Sequence, residues 1–228
     1  MAQRDAQWGS LMTDGVLFLC HANVCRSRLM EHEFRAAEKA EGDERWPAAS
    51  AGVAAAVGHS PCEEVVALAA ESPLGARSRR ADRGAVQLDH GLLQEAGLVI
   101  TATRAERAEV ALLLPAMRSR TYTLREAVAL AQIEPLTATT RTGASPGDVL
   151  TAFAESLDRH RGSVRAENKT SRSHWLHRRG RADDVDIADA HHRRARDHQR
   201  ALRTVQVETI ALHAQLSAFA QRLQLLGS

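Results

Sequence analysis

The amino-acid sequence predicts an α/β protein, a three-layer α/β/α sandwich on a four-stranded parallel sheet. Two observations predict it. Short uninterrupted apolar runs such as Val16, Leu17, Phe18 and Leu19 are what a strand buried on both faces requires. Such runs alternate, from residue 16 to residue 131, with stretches whose apolar residues recur at three-and-four spacing, the pattern of a parallel sheet covered by helices. At 228 residues, 44% apolar and 25% charged, the chain is long enough for one such domain. Residues 1–228 are therefore expected to form a single domain with a flexible insertion at about 132–182.

The elements follow in order. Residues before Asp14 read as a polar lead-in with one aromatic, Trp8. The first strand runs straight into Cys20, and from Ser27 the spacing of Leu29, Met30, Phe34 and Ala37 is helical, with Glu31 and Glu33 taken as first-turn acids that favour the macrodipole. Residues 46–53 form a second strand ending at Ser50, Ala51 and Gly52. Pro61 is expected to open a helix, with Ser60 as N-cap, Glu63 at the capping-box position and Val65, Val66, Leu68 and Ala69 on its buried face. After a turn-rich, arginine-rich connection over 72–84 come a short helix at 88–96 and a third strand at 98–102. A helix at 104–114, a fourth strand at 120–123 and a helix at 124–131 complete the alternation.

The stretch 132–182 is rich in Thr, Ser, Gly and Pro at its start and in Arg, Ser and His at its end, with a helix expected over 148–161. Its length favours a mobile surface insertion, with a basic flap over 174–181 that steers an anionic substrate as the runner-up. A long helix follows residue 190. Its apolar face runs through His198, Leu202, Val205, Thr209, Leu212, Leu216, Phe219, Leu223 and Leu226.

Composition narrows the function. A formal charge of +2 gives no argument for nucleic acid. No apolar stretch approaches a membrane span and residues 1–13 lack a signal-peptide core, so a cytoplasmic protein is expected. Three cysteines, Cys20, Cys25 and Cys62, make no disulfide framework and point to a reactive thiol in a reducing compartment. His174, His177, His191 and His192 have no cysteine or carboxylate at ligand spacing, so no metal is expected.

The informative chemistry lies between the first strand and the first helix. A loop over 20–26 leading into a helix lets successive backbone N–H groups and the helix N-terminus converge on one oxyanion. There, the helix end and the Arg26 guanidinium both favour a thiolate at Cys20. Arg26 closes a Cys-x5-Arg loop and offers a planar fork to two phosphate oxygens. Ser27 can donate its hydroxyl to the sulfur, and Asn23 tolerates left-handed backbone. Cys25, in the same loop, is expected to form a protective disulfide with Cys20 under mild oxidation.

The run of hydrophobic strand, Cys20-His21-Ala22-Asn23-Val24-Cys25-Arg26-Ser27 and helix resembles the signature of the low-molecular-weight protein tyrosine phosphatases. So do Ser50-Ala51-Gly52 and the stretch 87–131, with its Gln-Leu pair, its Ala-Gly-Leu-Val-Ile strand and its Thr-Leu-Arg-Glu-Ala segment. The resemblance implies a Rossmann-like fold, Cys20 as nucleophile, Arg26 as phosphate binder and residues 21–27 as the phosphate-binding loop. Ala22 stands where the family prefers glycine, which would cost on the order of 1 kcal/mol if its φ were positive. Arg28 stands at the family's proline. Residues 53–57 lack the aromatic residue that the family often places beside the substrate ring.

The family's general acid is an aspartate just before the last helix. Asp189 is the best match, with Ala190 in the proline position and His191 in the aromatic one; Asp183, Asp184 and Asp186 are alternatives if the register slips, and an acidic helix cap is the structural alternative. The resemblance implies a hydrolase of a phosphotyrosine protein or small aryl phosphate, acting through a phosphocysteine without metal or organic cofactor. A catalytically weak phosphate-binding or regulatory relative is the rival reading. A thiol-dependent arsenate reductase is disfavoured, because only Cys62 lies beyond the loop.

Overall fold

The computed structural model describes residues 14–42, 45–71, 83–133, 145–162, 185–191 and 193–226. Four strands, β1 (Gly15–Cys20), β2 (Ala48–Gly52), β3 (Ala96–Thr101) and β4 (Thr121–Thr123), form one sheet in the order β2-β1-β3-β4. Every pairing is parallel. After β2 the chain crosses to the far side of β1, so strand order reverses at β1 and a crevice opens at its C-terminal end, the place where open α/β sheets bind ligands.

The sheet is buried on both faces. Val16, Phe18 and Cys20 point to one side, where they meet α1 (Arg26–Glu41), α2 (Glu63–Glu71), α5 (Leu124–Ala131), α6 (Pro146–Arg159) and α7 (Ala195–Leu226). Leu17 and Leu19 point to the other, against α3 (His90–Glu95) and α4 (Arg104–Leu113). A 3₁₀ turn, Pro115–Arg120, leads from α4 into β4.

Most expected elements lie within one or two residues of their places, and the differences have local causes. The helix expected from Pro61 begins at Glu63, and the Cys62 carbonyl accepts from the amides of Val65 and Val66. Helix α3 starts later than its apolar pattern because the Asp89 side chain caps it by accepting from the Leu92 amide at 2.9 Å. Glu31 is not a first-turn acid: α1 starts at Arg26 with no acidic residue in that turn, and Glu31 is a buried member of a polar cluster.

Part of the expected insertion belongs to the core. Ser145 and Asp148 form a capping box with Pro146 just inside it, and the helix they start, α6, buries Leu150, Phe153 and Leu157 completely. Residues 134–144 and 163–182, including the suggested basic flap, lie outside the described residues. Among the described residues no helix is long and apolar enough to cross a membrane.

Helix α7 packs along α1 with a polar seam inside the contact. His213 Nε2 lies 2.7 Å from Glu38 Oε1, both side chains are 3% exposed, and the other Glu38 oxygen accepts from the Trp46 amide at 3.0 Å. Phe34 stacks edge-on against His213 with centroids 5.2 Å apart. Replacing Glu38 by leucine strands two buried donors. At about 1–3 kcal/mol for each, Glu38→Leu is expected to lose roughly 2–6 kcal/mol in denaturant unfolding, whereas Glu109→Leu, at an exposed position of α4, should change little.

Candidate active site

Residues 21–25 wrap the end of β1 and deliver the chain into α1. Their shape follows from what holds their carbonyls. The carbonyls of Cys20, His21 and Ala22 accept from the amides of Val53, Ala54 and Ala56, and that of Val24 accepts from Cys62. Among the described residues none of the amides of 21–25 donates a hydrogen bond. A loop with its acceptors turned to its neighbours and its donors uncommitted is a nest for an oxyanion.

Asn23 is the hinge of that loop. Its φ of 56° is left-handed, and its side chain fixes the turn three ways: Nδ2 donates to Ser27 Oγ and Ser50 Oγ, each at 2.9 Å, and Oδ1 accepts from the Val86 amide at 2.9 Å. Since Ser27 Oγ accepts from Asn23, its own proton is available to Cys20 Sγ, 3.0 Å away. Ser50 in turn donates to Glu31 at 2.7 Å. A buried chain of polar groups thus runs from Glu31 through Ser50, Asn23 and Ser27 to the sulfur of Cys20.

Ala22 is not among the residues of positive φ, so its methyl group carries no backbone penalty. The glycine this loop requires is instead Gly52, at the end of β2. A Cβ there would lie 2.6 Å from the His21 carbonyl oxygen and 2.9 Å from the Asn23 nitrogen. Arg28 is 5% exposed and donates to the Arg83 carbonyl at 3.0 Å, so it ties α1 to the segment beside β2.

Arg26, 4% exposed, lies at the start of α1. One guanidinium nitrogen donates to the Ile187 carbonyl at 3.0 Å and lies 3.7 Å from Glu106, itself buried in α4; the other donates to Asp189 at 2.6 Å. Asp189 also accepts from the His191 amide at 3.0 Å. Burial pushes the Asp189 carboxyl up, but the His191 amide and the Arg26 guanidinium outweigh it, and the group is held below the usual carboxylate range.

The neighbouring aspartates differ in place. Asp186 accepts from the Arg104 amide at 2.7 Å and pairs with the Arg104 guanidinium at 2.9 Å, which makes it a cap for α4. Asp183 and Asp184 lie outside the described residues. The segment 185–191 is pinned to the sheet by the Ile187 amide, which donates to the Ala102 carbonyl at 2.8 Å.

Beside the loop the fold gathers a group that sequence spacing conceals. Cys25, Cys62, His191 and His198 bring their ligating atoms within 4.8 Å of one another. The hydrogen bond between the two thiols raises Cys25, with burial adding to it, and lowers Cys62 against the effect of burial. Neighbours in sequence give His191 no ligand set, and only the fold brings it to Cys25, Cys62 and His198; His174, His177 and His192 lie outside the described residues. Sequence reasoning also missed Glu31 and Glu106 as site-building acids.

Residues 15–136 match the family model described as low molecular weight phosphotyrosine protein phosphatase. Among solved structures the chain is similar to a low molecular weight protein tyrosine phosphatase from T. tengcongensis, at 28% identity over 63% of this chain and 92% of that one, with a TM-score of 0.45. It is similar also to the YwlE arginine phosphatase from Geobacillus stearothermophilus, at 19% identity over 71% and 98%, with a TM-score of 0.44. A third, the tyrosine phosphatase Wzb from Escherichia coli K30, is 18% identical over 65% and 96%, with a TM-score of 0.41. No curated protein matches the chain.

The close approach at Gly52 yields a prediction. Because both contacts are to backbone, Gly52→Ala must push the loop away rather than turn a side chain aside. It is expected to cost about 1–3 kcal/mol of stability and to weaken binding of inorganic phosphate or sulfate by calorimetry. Ala51→Gly, one residue earlier in the strand, should leave anion binding in place.

Proposed function

Since the chain belongs to the low molecular weight phosphotyrosine protein phosphatase family, we propose that it is a phosphomonoester hydrolase that acts on protein phosphotyrosine through a phosphocysteine formed on Cys20. The observation that carries this reading is the meeting of Cys20, Arg26 and Asp189 around one anion-shaped loop, although Arg26 and Asp189 are 163 residues apart in sequence.

Each group has a chemical task. The amides of 21–25 and the Arg26 fork hold the three equatorial phosphoryl oxygens, so stabilisation is positional and electrostatic. The Cys20 sulfur attacks in line, an S–P bond forms as the ester P–O bond breaks, and Asp189 gives its proton to the departing oxygen. Water then attacks phosphorus, the S–P bond breaks towards the sulfur, and the Asp189 carboxylate takes the water's proton. Ser27 donates its hydroxyl hydrogen bond to the sulfur in both steps.

The depressed carboxyl of Asp189 fits this scheme because, of its causes, the His191 amide and then the Arg26 guanidinium, the second is removable. In the free protein Arg26 pairs with Asp189. A bound phosphate dianion claims the guanidinium and adds negative charge beside the carboxyl, and both changes favour the protonated acid.

Cys20→Ser and Arg26→Ala are each expected to abolish hydrolysis of an aryl phosphate, with Cys20→Ser still binding phosphate. Turnover that survives in Cys20→Ser would overturn the mechanism. Tight phosphate binding with no turnover in the unaltered protein would favour a phosphate-binding relative, the reading that Arg28 and Ala190 support. Peptides bearing phosphotyrosine and phosphoarginine, assayed side by side, test the substrate, and faster release from phosphotyrosine is expected.

Asp189 is tested through the leaving group. Asp189→Asn should slow phenyl phosphate by about 10²–10⁴-fold and nitrophenyl phosphate, whose leaving group needs little protonation, far less. Asp186→Asn keeps an acceptor for the Arg104 amide and loses only the ion pair with Arg104, so it should change stability little and show no dependence on the leaving group. If the steep dependence appears in Asp186→Asn instead, the acid is misassigned.

A further inference from the structure

Four side chains converge beside the phosphate loop from four separate segments: Cys25 at the end of the loop, Cys62 just before α2, His191 next to Asp189, and His198 in the first turn of α7. Their ligating atoms all lie within 4.8 Å of one another. Nδ1 of His191 is 3.3 Å from Cys25 Sγ, and Nε2 of His198 is 3.6 Å from Cys62 Sγ. The two rings meet edge to face with centroids 5.2 Å apart. For tetrahedral zinc with Zn–S near ~2.3 Å and Zn–N near ~2.0–2.1 Å, neighbouring sulfur and nitrogen ligands stand ~3.5 Å apart. We propose that Cys25, Cys62, His191 and His198 form a tetrahedral Cys₂His₂ site for a zinc ion.

The donor set selects the metal. Two thiolates and two imidazoles in tetrahedral array suit Zn²⁺, whereas Mg²⁺ and Ca²⁺ take oxygen ligands. Binding forms two Zn–S and two Zn–N bonds, and the two thiol protons leave to solvent, so the charge of the ion is cancelled by its own ligands and no net charge is buried. Cys25, Cys62 and His198 are buried, while His191 is exposed and opens the site to incoming metal. Hydrogen bonds from Cys25 to His191, from Cys62 to His198 and between the two thiols would also hold the four together, and metal titration separates that network from a bound ion.

The consequence for the site is positional. The His191 amide holds Asp189, and Cys25 is the last residue of the phosphate loop. An ion bound by both side chains ties the segment that carries Asp189 to the loop that carries Cys20. Metal binding itself does not depend on phosphatase activity and is read separately from it.

The test uses the full-length protein, reduced and stripped of metal, titrated with Co²⁺. One ion per chain is expected, with the intense ligand-field bands of tetrahedral cobalt and thiolate-to-cobalt charge transfer, all displaced by one equivalent of Zn²⁺. The same spectrum should persist in Cys20→Ser. In Cys62→Ala and in His198→Ala, binding should weaken by more than the roughly 10–100-fold typical of losing an outer-shell partner.

Because those two variants alter buried positions, the unaltered protein supplies a second measurement. Zn²⁺ should protect Cys25 and Cys62, mapped by mass spectrometry, from a thiol-alkylating reagent. An octahedral spectrum, a signature lost in Cys20→Ser but kept in Cys62→Ala, or equal alkylation of Cys25 and Cys62 with and without Zn²⁺ would overturn the proposal.

Discussion

The phosphate loop depends on one buried carboxylate, Glu31. Loops made of small and polar residues have many conformations, and this one is fixed from beneath. Glu31 sits on α1, accepts from Ser50 on β2 and from Arg83, and has Arg28 and Arg35 each within 3.8 Å. A buried carboxylate oxygen can only accept from Ser50, and it keeps that hydroxyl oriented as its donor. Ser50 must then accept from Asn23, Asn23 must offer its second N–H to Ser27, and Ser27 is left with its proton facing Cys20. Each orientation dictates the next, so the direction of the whole chain is set by a group that never touches the sulfur.

The sheet supplies the complementary constraint. Gly52 lies against the loop's backbone on one side, while the amides of Val53, Ala54 and Ala56 take up its carbonyls. Both arise from β2 lying beside β1, in register from Val16 with Ala48 to Cys20 with Gly52. That register brings the end of β2 level with Cys20, so the segment after it meets the segment after Cys20. The polarity of the loop, acceptors outward and donors uncommitted, follows from parallel pairing continued past the strand ends.

What could be read from the sequence was whatever is local. Apolar runs and helical spacing located the sheet and its helices, because burial on two faces demands a continuous apolar strand. The loop residues were legible for the same reason: strand, Cys-x5-Arg and helix start lie within thirteen residues. Contacts between distant segments were not. Glu31 has no local signature separating an acid in a first turn from one buried in a second, and only the fold brings Arg83 and Ser50 to it. Cys62 and His198 are unremarkable in sequence, since ligands taken from a loop, a helix start and a last helix have no fixed spacing. Helix α6 was legible as a helix over 148–161, but the polar stretch on either side made the region read as an insertion, and only the fold shows Leu150, Phe153 and Leu157 to be as buried as β1.

The pairing of Arg26 with Asp189 links these two kinds of information. A guanidinium in a nearly closed pocket must be neutralised whether or not substrate is present, since an unpaired buried charge is strongly unfavourable. Glu106 and the Ile187 carbonyl supply fixed partners, while Asp189, whose side chain is 49% exposed, is the partner able to move. In the proposed reaction an arriving phosphate takes over as counter-ion and frees that carboxylate beside the ester oxygen. The exchange keeps Arg26 paired throughout and hands the acid its proton-holding state only when there is a phosphate to act on. A segment free to make that exchange still has to return to the same place, and the Ile187 amide bond to Ala102 holds it at one end. The cluster of Cys25, Cys62, His191 and His198 sits at the other, and its two histidines lie on the stretch that carries Asp189 into α7.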